Sequence, residues 1–352
     1  MTKKVAVILF NLGGPDQLDA VQPFLFNLFN DPAIIRLPNP FRFLLAKLIS
    51  KRRAPFAREI YKLIGGKSPL LDLTEDQAQA LDKQLNKGTD EQGDVLYKSF
   101  IAMRYWKPFS DETAQRVKDF NPDEVVLLPL YPQFSTTTTG SSFKDWHRAS
   151  AAAGLTVPHR SICCYPDNKG LVEAYVQLAK PMLEKALGAH SSVRLLLSAH
   201  GLPEKIVNAG DPYPDHVNIT ADHVVAGLKA ALPHSDFHAT LCYQSRVGPM
   251  KWIGPSTEDM IAQAAQNNEA LVVLPIAFVS EHSETLVELD IEYKELAEEK
   301  GVSGYYRVPA VGCHPDFIGG LVARIHDIAN AKFCASNVDA CPMNMSIKLK
   351  AV

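Results

Sequence analysis

The chain has 352 residues with a formal net charge of -3, and it is 46% hydrophobic and 21% charged. That is the balance of a soluble globular protein with a substantial core and length for two domains. It argues against a nucleic-acid binder, which would need a basic surplus, and no run of about 18 apolar residues offers a membrane span.

The first element is VAVILFNL, residues 5–12, which leads into GGPD. It is too short to cross a bilayer and leads to no small-residue cleavage site, so it reads as a buried strand of a cytoplasmic protein. Residues 33–60 then mix aliphatic and aromatic side chains with Arg36, Arg42, Lys47, Lys51, Arg52, Arg53 and Arg58. A basic amphipathic helix of this kind docks on anionic lipid without spanning it. The plainer alternative is a core helix with a basic solvent side.

Next come a strand at KSFIAMRY, a helix at DETAQRVKDFN, a strand at EVVLLPLYP and a polar loop at STTTTGSS. Further on, VRLLLSAH, FHATLCYQ, ALVVLPIAF and YYRVPAV read as strands, with a helix at STEDMIAQAAQNN between the second and third. Strands apolar on both faces, alternating with helices, predict parallel α/β architecture. The two halves echo one another: strand, aromatic–basic loop, helix, strand, polar loop, with Pro129 in one matching Pro275 in the other. The expected fold is two similar Rossmann-like lobes, each a parallel sheet flanked by helices, with the active cleft between them. The expected domains are residues 1–170, with a pocket lip near 33–60, then 171–325, then a C-terminal extension over 326–352.

Ligands of open parallel sheets bind beyond the carboxyl ends of the strands. The polar residues gather there, at Asn11–Pro15, Arg104–Lys107, Gln133–Ser142, His200–Pro203, Gln244–Arg246 and Ser280–Glu284. Dinucleotide, phosphate-loop and nucleophile-elbow motifs are absent from the sequence. What remains is His200 at one strand end and an acidic segment, SEHSETLVELDIEYKELAEE, at another. On an α-helix Glu284, Glu288 and Glu292 share one face. A solvated acidic face explains such a stripe, and a satisfied turn histidine explains His200. A carboxylate row leading from a strand end, with His282 before it, also suits conduction of protons or cations. Imidazole titrates near neutrality. A site that holds a divalent metal and also accepts protons fits metal insertion into a porphyrin, where two pyrrole N–H protons leave as the ion enters.

At these residues the chain resembles ferrochelatase over nearly its whole length, from LFNLGGP to YYRVPAV. SAHGLPEKIVNAGDPYP is similar to the family's signature around its essential histidine, which falls on His200. PIAFVSEHSETLVELDIEY resembles the second signature, whose histidine and catalytic glutamate fall on His282 and Glu284 and whose acidic helix falls on Glu288 and Glu292. The resemblance implies insertion of ferrous iron into protoporphyrin IX to form protohaem, the last step of haem biosynthesis. It makes His200 and Glu284 catalytic, and gives His200, His282, Glu284, Glu288 and Glu292 contact with the metal. It implies a porphyrin pocket drawing on Leu12, Arg53, Ser68, Arg104, Tyr105, Trp252 and Phe278.

Iron is a substrate, and no organic cofactor is implied. Animal members hold a [2Fe–2S] cluster on four cysteines. Here the extension offers only Cys334 and Cys341 and the loop position is Thr136, so no cluster is expected. Phe56 stands where animal members carry lysine. The expected partners are protoporphyrin IX, ferrous iron and the inner membrane surface, with no nucleic acid and with a homodimer left open. Alternatives weighed are insertion into coproporphyrin III and a non-catalytic tetrapyrrole carrier on the same fold.

Overall fold

The structure is a computed structural model that describes residues 2–87, 95–246, 248 and 250–330. Most of the expected C-terminal extension, with Cys334 and Cys341, lies outside the described residues. The chain forms two compact units. Of the described residues, one contains 2–164 together with 321–330, and the other is Tyr165–Gly320.

In the first unit, β1 (Lys3–Asn11), β2 (Val95–Met103), β3 (Glu124–Pro129) and β4 (His159–Ser161) form a parallel sheet in the order β2-β1-β3-β4. In the second, β5 (Val193–His200), β6 (His238–Gln244), β7 (Ala270–Pro275) and β8 (Tyr305–Arg307) form a parallel sheet in the order β6-β5-β7-β8. The echo in the sequence is therefore a repeated topology. Pro129 and Pro275 each end the third strand of a sheet, opposite Phe10 and Ser198 respectively. The repeat extends into the loops. Met103 donates its N–H to the Pro108 carbonyl, and Tyr243 donates to that of Pro255; both prolines follow cis peptide bonds.

Each central strand is apolar because helices cover both of its faces. Val5 through Phe10 are all buried, and one face of this sheet packs under Ala114, Val117, Phe143 and Trp146. The Phe10 ring meets Phe143 and Trp146 edge-on, with centroids 5.4 and 6.0 Å apart. In the second unit Leu196, Leu271 and Val273 pack against Ile261 and Ala264 on one helix and Leu289, Tyr293 and Ala297 on another segment. Full burial of each such side chain contributes about 1.5–3 kcal/mol.

One expected element differs. The acidic segment is not an α-helix throughout: Glu284–Glu292 is a π-helix, continued by an α-helix over Tyr293–Glu299. One row of buried residues fits the wider turn, with Val287 buried outside it. Thr285, Leu289, Tyr293 and Ala297 point inward at strict four-residue steps. In an α-helix that spacing drifts by about 40° per step and would carry the row off the core. A stretch of five-residue hydrogen bonding winds the row back.

Candidate active site

At the carboxyl end of β5 the aliphatic run stops at His200 and turns through Gly201. A Cβ at Gly201 would stand 3.0 Å from the Gln244 carbonyl and 3.2 Å from the Trp252 ring, so a side chain here would press on both. Trp252 therefore lies against the strand end beside His200. The His200 Nδ1 is 2.6 Å from the Gly201 carbonyl oxygen. A carbonyl can only accept, so Nδ1 carries the hydrogen, and in the neutral ring the lone pair is on Nε2.

That lone pair faces Glu284 Oε1 at 3.6 Å, just beyond hydrogen-bonding distance. Glu284 comes from the neighbouring strand, β7, by way of residues 276–283. The Tyr175 hydroxyl fixes the start of this loop by donating to the Ile276 carbonyl at 2.9 Å. Strands β5 and β7 are adjacent, but β5 connects to β6 on one side of the sheet and β7 to β8 on the other. Such a switch point is where an open parallel sheet forms its ligand crevice.

The second oxygen of Glu284 faces His282 Nε2 at 3.8 Å. One carboxylate thus stands between two imidazoles. The Phe278 ring covers His282 edge-on at 4.5 Å between centroids. Burial favours the neutral ring and holds the His282 imidazole below its ordinary pKa, against the opposing pull of Glu284 and Glu281. Among the described residues, no three or more His, Cys, Asp or Glu side chains form a ready-made ion site.

Glu288, one turn on, is held by four donors. Its Oε1 accepts the Ser245 N–H at 2.8 Å and the Tyr293 hydroxyl at 3.0 Å. Its Oε2 accepts the Gln244 amide at 2.9 Å and the Ser245 hydroxyl at 2.5 Å. The Gln244 amide is oriented by the Ser198 hydroxyl, which donates to its oxygen at 2.8 Å. Burial, followed by the charge of Glu284, raises the Glu288 pKa despite these bonds. Glu292 is exposed. The carboxylates therefore run from part-buried Glu284 through Glu288 to solvent.

The other predicted residues belong to the first unit. Tyr105 is 1% exposed and packs with Val21, Phe24 and Tyr61, with Leu12 against the same cluster. Its hydroxyl donates to Asp31 at 2.8 Å, and the Arg104 guanidinium meets the same carboxylate oxygen at 3.0 Å. Ser141 also donates to Asp31 and accepts from Arg104 Nε at 2.7 Å. Burial, then Asp31, raises the Tyr105 pKa well above its ordinary value. Arg53 lies over the Phe29 ring at 5.9 Å, and Ser68 donates its N–H to the Pro15 carbonyl at 2.8 Å. Sequence reasoning missed Asp31 and Tyr293 as partners of these groups, and Ser141 was visible only within the polar strand end Gln133–Ser142. Gln244 and Ser245 were visible only as members of a polar strand end.

The family model for ferrochelatase matches residues 4–328. The ferrochelatase of Caulobacter vibrioides (strain NA1000 / CB15N) is 54% identical over 327 residues, covering 93% of this chain and 91% of that protein. The ferrochelatase of Pelagibacter ubique (strain HTCC1062) is 48% identical over 349 residues, covering 96% of this chain and 98% of that protein. Among solved structures, SirB from Bacillus subtilis with Fe3+ aligns with a TM-score of 0.49 and 11% identity, covering 93% of this chain and 96% of that one.

Proposed function

The chain belongs to the ferrochelatase family, and we infer that it is a lyase that inserts ferrous iron into protoporphyrin IX to form protohaem. The observation that carries the site assignment is the Glu284 carboxylate between the Nε2 atoms of His200 and His282, at 3.6 and 3.8 Å.

Insertion replaces two pyrrole N–H protons with one Fe²⁺, so the site must remove two protons for each ion it delivers. His200 is the first acceptor: its Nδ1–H is committed to the Gly201 carbonyl, which leaves Nε2 as the basic atom. Glu284 balances the imidazolium that forms and takes the proton onward. Glu288, whose pKa is raised, receives it next, and exposed Glu292 releases it. His282, held neutral by burial, offers an imidazole ligand to the incoming ion. Trp252 and Phe278 supply apolar area for the macrocycle. In the first unit, Arg53 and Ser68 serve the propionates, and Leu12, Arg104 and Tyr105 belong to the porphyrin-binding set. No iron–sulfur cluster is part of this reading, because Thr136 supplies no thiolate.

We also assign the protein to the cytoplasm, in peripheral contact with the inner membrane surface. Among the described residues no helix is long and apolar enough to cross a membrane. The helix Phe41–Leu63 exposes Phe41 at 65% and Leu44 at 60%, and Arg42, Lys47, Lys51 and Arg52 lie along it. That combination suits docking on anionic lipid.

The test is anaerobic incubation with ferrous iron and protoporphyrin IX, following loss of free-base fluorescence, with coproporphyrin III in parallel. Protoporphyrin is expected to be the faster substrate. His200→Ala should lower the rate by about a hundredfold or more with porphyrin binding retained. A wild-type protein that binds porphyrin without metallating it would refute the reading.

A further inference from the structure

Strand β8 has only three residues, yet two of its side chains reach the π-helix. The Tyr305 hydroxyl donates to the Leu289 carbonyl at 2.7 Å. Arg307 grips the Asp290 carboxylate with two arms, Nε at 2.7 Å and Nη2 at 2.5 Å. Its Nη1 donates to Glu281 Oε1 at 2.5 Å, and the same oxygen accepts the Ala310 N–H at 2.9 Å. The Arg307 side chain is 14% exposed, and a two-armed guanidinium–carboxylate contact so shielded is strong and directional.

These contacts fall where the helix changes its step. The Tyr293 N–H donates to the Glu288 carbonyl, five residues back, and an α-helix follows from Tyr293. Where a five-residue step gives way to a four-residue step, a carbonyl is passed over and needs another donor. Leu289 is the next carbonyl, and the Tyr305 hydroxyl satisfies it. In an all-α helix the Tyr293 N–H would take Leu289 instead. Everything upstream would then rotate by about 100° relative to the rest.

Glu284 lies upstream. Its two oxygens face His200 and His282 in the π register, and since His282 lies upstream with it, a rotation of that size would turn the carboxylate away from His200, which is held at the end of β5. Arg307 braces the segment on either side of Glu284, holding Glu281 in the loop before it and Asp290 in the helix after it.

We propose that Tyr305 and Arg307 are positioning residues that hold the π register of Glu284–Glu292 and so keep Glu284 facing His200. The proposal rests on the iron-insertion reading above. It is tested in the full chain with Arg307→Gln, Arg307→Lys and Tyr305→Phe, the last removing one hydroxyl and leaving the ring. Two readouts are taken: steady-state metal insertion with ferrous iron and protoporphyrin IX, and amide hydrogen exchange. For Arg307→Gln, kcat should fall about tenfold with the porphyrin KM within about twofold, and exchange across Glu284–Glu292 should quicken about tenfold while β5 and β7 keep their protection. Tyr305→Phe should show the same pattern at about threefold, and Arg307→Lys should recover part of the loss. Unchanged kcat and unchanged exchange in the helix would overturn the proposal. So would exchange that quickens equally in β5 and β7, since that marks general destabilisation. A wild-type protein that inserts no iron would refute the functional reading alone, and exchange would then decide the register by itself.

Discussion

Replacing Asp31 with alanine probes the buried polar cluster of the first unit. Asp31 is 3% exposed and accepts from Tyr105, Ser141 and Arg104. Its removal leaves a guanidinium that is 20% exposed and a hydroxyl on a ring that is 1% exposed. Breaking a buried ion pair costs about 3–5 kcal/mol, and the partial exposure of Arg104 places this case near about 3 kcal/mol. An orphaned buried hydroxyl adds about 1 kcal/mol or more. The expected loss is therefore about 4 kcal/mol, a fall in Tm of about 8–16 °C for a unit of this size. Urea denaturation of Asp31→Ala, Tyr105→Phe and the double variant tests the origin of the loss. Removing the Tyr105 hydroxyl should recover about 1 kcal/mol once Asp31 is absent, since the orphaned donor is then gone as well. A loss below about 1 kcal/mol in the single variant, or strict additivity in the double, would refute the assignment of Asp31 as the acceptor that holds Arg104 and Tyr105.

The raised pKa of Glu288 makes a signed pH prediction. Between the ordinary value of 4.5 and the higher native value, the folded state binds more protons than the unfolded one, so stability falls as pH rises through that window. Glu288→Gln should abolish this dependence, so that wild type loses stability relative to the variant from pH 4.5 upward; a difference that stays flat in denaturant midpoints would contradict it. For the helix Phe41–Leu63, wild-type protein should float with anionic liposomes, and Phe41→Ser with Leu44→Ser should weaken that binding about tenfold. Protein that stays wholly in the soluble fraction before substitution would sink the membrane reading.

The strands of both sheets were legible except for β4. His159–Ser161 has no apolar run, and it becomes a strand only because an edge of β3 pairs with it, Val125 opposite His159. The repeat was legible because each half buries its central strands on both faces, and burial on both faces leaves a continuous apolar signature. His200, His282 and Glu284 drew notice because they stand at or soon after the ends of apolar runs, and the structure brings their side chains together. The π-turn was not legible, because the apolar residues of the segment, Leu286, Val287, Leu289, Ile291 and Tyr293, follow no four-residue period. The α-helical period hid it, since the carboxylate stripe fits either winding.

Partner choice came only with the tertiary structure. Asp31 finds Ser141 across 110 positions, and Gln244 finds Glu288 across 44. Sequence periodicity records which side of a segment meets the core, because burial acts on each residue locally. Which polar groups meet inside that core depends on how separate strands and helices are brought together. A buried carboxylate must then take whatever donors that packing supplies.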